Sequence, residues 1–107
     1  MRDGTYSVHF RTNRDFGSGV VVAQSGQVRG GDQSYFYRGT FSQQGQNIVA
    51  QLRVEKHTNA SASVFGNVNA FDLVLQGQDN GSVAVLQGAS PQAPGQAFTA
   101  ELRFLAA

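Results

Sequence analysis

Asp3-Gly4-Thr5-Tyr6-Ser7-Val8-His9-Phe10, Gly17-Ser18-Gly19-Val20-Val21-Val22, Gly30-Gly31-Asp32 and Tyr35-Phe36-Tyr37-Arg38-Gly39 stand in this order at the head of the chain. In the first of them Tyr6, Val8 and Phe10 alternate with Ser7, His9 and Arg11. Successive side chains of a strand point to opposite faces, so a period of two marks a strand with one face buried and one wet. The glycines punctuate these β-branched and aromatic runs. The passage therefore reads as short strands separated by turns.

The same period recurs further on. Ile48, Ala50, Leu52 and Val54 alternate with Val49, Gln51, Arg53 and Glu55, and Phe98, Ala100, Leu102 and Phe104 with Thr99, Glu101 and Arg103. Turn signals lie at Asn13 to Gly17, Ser25-Gly26, Gly30 to Asp32, Gln43 to Asn47, Asp79 to Gly81 and Pro91 to Gln96. Asn80-Gly81 carries the strongest, because both residue types tolerate the positive φ of a type I′ hairpin turn. Strands are predicted at about 4–11, 18–24, 27–30, 35–42, 47–56, 71–77, 82–87 and 97–105. About eight consecutive antiparallel strands favour an all-β fold, a small up-and-down barrel whose closure removes the sheet edges. A two-sheet sandwich is the alternative. Residues 58–70 lack clean alternation, and at most one short helix is predicted there.

At 107 residues the chain forms a single domain, able to bury a core without staples. It has no cysteine, hence neither disulfides nor thiolate chemistry. Charged residues are 14%, below the ~25% usual in globular chains. The eight Lys and Arg are scattered, and the net charge is +1. A nucleic-acid partner, which needs a dense basic patch, is not expected. No apolar run has the length of a membrane-spanning helix, and the N-terminus is too polar for a signal peptide, so a cytoplasmic, bacterial setting is expected. No nucleophile elbow, phosphate loop or His-Glu-x-x-His motif is present. His9 and His57 read as single surface histidines, and Asp32 as a turn-shaping residue without a second carboxylate nearby. No catalytic residue, metal ligand or cofactor is assigned.

Eight strands enclose a space that side chains just fill, or that holds one small ligand. Tyr6, Phe10, Phe41, Leu52, Phe98 and Leu102 share the inward parity and are expected in one core. With so many rings in so small a barrel, the interior is expected to be largely filled. The tyrosines leave room for the other reading, since a buried hydroxyl needs a partner. A small hydrophobic ligand would then meet Tyr6, Tyr35, Tyr37, Phe41 and Phe71. Phe36, Val49, Val74 and Leu105 fall on the outward parity, and an apolar outer patch on a chain of low charge suggests a homodimer.

The ordered set of Asp3-Gly4-x-Tyr6-Ser7, Gly17-x-Gly19, Gly30-Gly31-Asp32 and the aromatic strand ending in Gly39 resembles the opening of the GrlR family, negative regulators of bacterial type III secretion. The resemblance covers roughly the first half of the chain. It implies a lipocalin-like barrel that dimerises and acts by sequestering a protein partner, a transcriptional activator, rather than by catalysis. In that family an acidic loop needed for activator binding follows the strand that ends here at Gly39-Thr40-Phe41-Ser42. The corresponding loop, Gln43-Gln44-Gly45-Gln46-Asn47, carries no carboxylate. A partner surface is therefore expected at Arg29, Gly30, Gly31, Asp32 and Tyr35, where polar and aromatic groups converge in sequence.

Overall fold

The computed structural model describes residues 1–12, 16–58, 70–93 and 95–107. Eight strands follow in chain order: β1 (Gly4–Arg11), β2 (Phe16–Gln24), β3 (Gln27–Gly31), β4 (Tyr35–Gln44), β5 (Asn47–Lys56), β6 (Ala70–Asp79), β7 (Val83–Ala89) and β8 (Phe98–Ala106). Each pairs antiparallel with the next, and β1 pairs with β8, so the sheet closes into an up-and-down barrel. Closure rules out the sandwich and leaves no edge strand. The described residues contain no helix; the short helix expected near 58–70 falls on 59–69, outside them.

The register shows why the alternation produces one core. Val8 faces Leu102 on β8, Tyr37 faces Val54, Leu52 faces Leu73 and Ala50 faces Leu75. Every such pair joins two apolar side chains of the same parity, so a slip of one residue would turn the whole set to water. Ile48 and Leu75 are the largest fully buried side chains, each 1% exposed. Of the expected core, Tyr6, Phe98 and Leu102 are buried, while Phe10, Phe41 and Leu52 point inward but are half-buried, because they border open space inside the barrel.

The sharp curvature of so small a barrel brings neighbouring strands close at particular points. A Cβ on Gly77 would lie 1.8 Å from the Val85 carbonyl oxygen across the β6–β7 pair. Only glycine permits that approach. Between Thr5 and Tyr6 the β1–β8 register shifts, leaving Leu105 as an extra, exposed residue.

The type I′ turn is found at Ser25-Gly26 rather than at Asn80-Gly81. Ser25 and Gly26 have φ of 52° and 79° and join Gln24 to its partner Gln27, whereas of the other pair only Gly81 has a positive φ. Asn80 instead shapes its turn through its side chain, whose Oδ1 accepts from the Ser82 and Val83 amides at 3.0 and 2.9 Å. That alternative is open to Asn without a left-handed backbone. The loop after β4 is a plain hairpin turn at Gly45-Gln46.

One end of the barrel is shut by packing. Tyr6 and Phe104 meet edge-to-face at 5.4 Å, the Arg2 guanidinium lies 3.6 Å from the centre of the Phe104 ring, and the Tyr6 hydroxyl donates to the Arg2 carbonyl at 2.6 Å. The Met1 side chain packs against the core at this end, with its amino group 3.0 Å from Asp79.

Candidate functional site

The interior is not filled. A cavity of about 370 Å³ runs along the barrel, lined chiefly by aliphatic and aromatic side chains from Phe10, Val21, Tyr35, Phe41, Leu73 and Phe98 among others. This corrects the expectation of a packed barrel. The rings cluster with one another between strands and leave space beside them. Phe10 stacks on Phe98 at 5.9 Å, Tyr37 stands edge-on to Phe10 at 6.2 Å, and Tyr35 lies 6.1 Å from Phe71. Beside them the inward positions are small: Gly17 and Ala100 are the register partners of Phe10, and Ala50 that of Phe41.

Of the five residues assigned to an interior ligand, Tyr35, Tyr37, Phe41 and Phe71 line the cavity. Tyr6 does not; it belongs to the plug at the closed end, where its hydroxyl is spent on Arg2. The opposite end is where β1 gives way to β2, β3 to β4 and β5 to β6. There the cavity reaches Phe10, Phe16, Gly17 and the tip Asp32-Gln33-Ser34. Phe16 is 82% exposed at this rim.

The tip is built around Asp32. Its Oδ1 accepts from the amides of Ser34 and Tyr35 at 2.9 and 2.8 Å, and the Asp32 amide donates to the Tyr35 carbonyl at 2.9 Å. This is the turn-shaping role read from the sequence, but Asp32 also reaches inward: its Oδ2 accepts from the Tyr37 hydroxyl. Burial, and then the bond to Asp32 and its negative charge, push the Tyr37 hydroxyl above the usual tyrosine range, so it is a neutral donor. Gly19 makes room for this pair, since a Cβ there would fall 3.0 Å from the Tyr37 oxygen, 3.2 Å from the Asp32 Cβ and 2.6 Å from the Gly31 carbonyl. His57, one residue beyond β5, braces the tip from outside. Its amide donates to the Ser34 carbonyl at 2.8 Å, and its Nε2 lies 3.0 Å from the Asp32 carbonyl oxygen.

Arg29, Gly30, Gly31, Asp32 and Tyr35 do not share one surface. Strand parity turns Arg29 outward and Gly30 inward, Tyr35 is buried inside the barrel, and the Asp32 carboxylate is engaged at the cavity mouth. Proximity in sequence crosses from one face of the sheet to the other, which is why the five separate. On the outer face, Val20, Gly31 and Phe36 are successive register partners across β2, β3 and β4, and Val20, Val22 and Phe36 are exposed.

Elsewhere on the outer face Arg53 lies 3.1 Å from Asp72 and 3.5 Å from Glu55, which also meets Arg38 at 3.1 Å. Among the described residues no group of His, Cys, Asp and Glu is arranged to hold a metal ion, and no helix is long and apolar enough to cross a membrane. Sequence reading missed Phe16 and Gln33 as rim residues. Phe16 has outward parity, and a surface aromatic or a turn glutamine carries no pattern that marks it as a rim residue. The chain matches no protein-family model and no curated protein sequence.

Proposed function

We propose that this protein is a non-enzymatic binding barrel that holds one small apolar ligand in its interior, as a carrier or sensor. The observation that carries this reading is the 370 Å³ cavity, which falls within the range of small-molecule sites and is mainly apolar with a few polar groups gathered at one end. Apolar burial supplies the affinity, and the polar end sets orientation. A neutral naphthylamine dye whose fluorescence rises in apolar surroundings tests it. Saturation at one dye per barrel, reversed by decanol, is the expected result. A fluorescence as low as in buffer at every dye concentration would overturn the reading.

A second reading is regulation by protein contact, as the resemblance to GrlR-type regulators implies, in a cytoplasmic setting. The outward apolar strip Val20, Val22 and Phe36 supports it, together with a flanking Arg29 and Arg38. On that reading the strip serves a homodimer or a partner protein, and a ligand in the cavity modulates it.

A further inference from the structure

The two ends of the barrel differ in chemistry, and the charged side chain that lines the cavity lies at the mouth. Among the described residues lining the cavity, Asp32 is the only one with a charged side chain, and no Lys, Arg or His side chain lines it. The carboxylates of Glu55, Asp72, Asp79 and Glu101 each have a cation within 4 Å, but among the described residues Asp32 has none. Its three hydrogen bonds come from two amides and a neutral hydroxyl, so its negative charge is held in place without being neutralised. An ionised carboxylate has roughly four acceptor positions, so a fourth remains. The rings of Phe10, Phe16 and Tyr35 border the same end, and aromatic faces attract cations.

We infer that the cavity takes an apolar amine, with the hydrocarbon in the barrel and the protonated nitrogen at the mouth against Asp32. This rests on the reading of the interior as a ligand site. The apolar wall selects a hydrocarbon body of limited size. The Asp32 carboxylate forms a charge-assisted hydrogen bond with the ammonium, stronger than a neutral one. A carboxylate-headed amphiphile of the same length is disfavoured, because at the mouth it meets a like charge and, among the described residues lining the cavity, no counter-ion. The chemistry is thus opposite in sign to that of a barrel built for fatty acids, which needs a cation at the head-group position.

Displacement of the naphthylamine dye by decylammonium, decanol and decanoate, each below its micellar concentration, separates the possibilities. The expected order is decylammonium tightest, decanol next and decanoate weakest, with the amine at least ~10-fold tighter than the alcohol. Asp32→Asn keeps an oxygen for the Ser34 and Tyr35 amides but removes the charge. It should abolish the preference for decylammonium over decanol. Gln33→Lys, at an exposed position on the same rim, should weaken decylammonium and strengthen decanoate, and it stands as the test if Asp32→Asn does not fold. Equal binding of amine and alcohol by the wild-type protein, or a decanoate preference, would overturn the inference while leaving the ligand site intact. Failure of all three compounds and of the dye would instead remove the ligand reading on which it rests.

Discussion

Tyr37 shows how one hydroxyl connects turn, cavity and pH dependence. Burial, then the Asp32 bond, then the Asp32 charge all favour its protonated form, so its pKa in the folded protein lies above the ordinary 10.0. The folded state therefore holds the proton more tightly than the unfolded chain. This contribution to stability is complete below pH 10 and is lost as pH rises above it. Tyr6 is raised in the same direction, mainly by burial. Thermal melts on either side of pH 10 should show the loss in the wild-type protein and a shallower one in Tyr37→Phe. At neutral pH the same substitution should cost ~1–3 kcal/mol, because it leaves a partly buried carboxylate oxygen without its donor. Phe98 is a simpler case. It is buried and stacked on Phe10, so Phe98→Ala should cost ~3–5 kcal/mol by denaturant unfolding. Phe10→Ala should cost less, since Phe10 is half-buried and borders space that already exists.

At the scale of the element, the turns and close approaches decide what each strand tolerates. Ser25 sits at φ 52° in a two-residue turn followed by Gly26. Asn is more at ease there than Ser, and Asn-Gly is the preferred type I′ pair. Ser25→Asn should raise the unfolding free energy by ~0.5 kcal/mol, and a loss of stability would mean that the amide disturbs the nearby Asp3 contact to the Ser25 amide. Gly77→Ala should do the opposite. Its new methyl meets a carbonyl oxygen rather than a movable side chain, and a cost of ~2–3 kcal/mol is expected from the forced separation of β6 and β7. Replacing Gln43, Gln44 and Gln46 by Ser should change stability by less than ~0.5 kcal/mol, because these are exposed residues around a plain turn.

For the molecule as a whole, the outer face governs association. Val20, Val22, Phe36, Val49, Val74 and Val85 are all exposed on a surface of low charge. Such a surface favours association when its apolar residues adjoin, and Val20 and Phe36 flank the bare Gly31 across three strands. Light scattering at micromolar concentration is expected to give twice the chain mass, and Val20→Ser with Phe36→Ser to return it to the monomer. A monomer for the unaltered protein removes the dimer.

The sequence by itself determined the class of fold, the number of strands and the identity of the inward face. These depend on local alternation and on turn residues, which a period of two and a run of glycines make plain around Tyr6, Ile48 and Phe98. Glycine in the loops did not say which turn would be type I′, because φ at Ser25 is imposed by the tight pairing of Gln24 with Gln27 and not by Ser itself. Nor did inward parity reveal the cavity. Whether inward rings fill the barrel depends on which residues they meet, and for Phe10, Tyr35 and Tyr37 these are rings on other strands, Tyr37 being three strands from Phe10. The Asp32–Tyr37 pair was likewise legible only as a turn residue and an aromatic. Tertiary structure brought the carboxylate to the mouth of an apolar space, because closure of eight strands places the β3–β4 tip over the barrel end that the rings leave open.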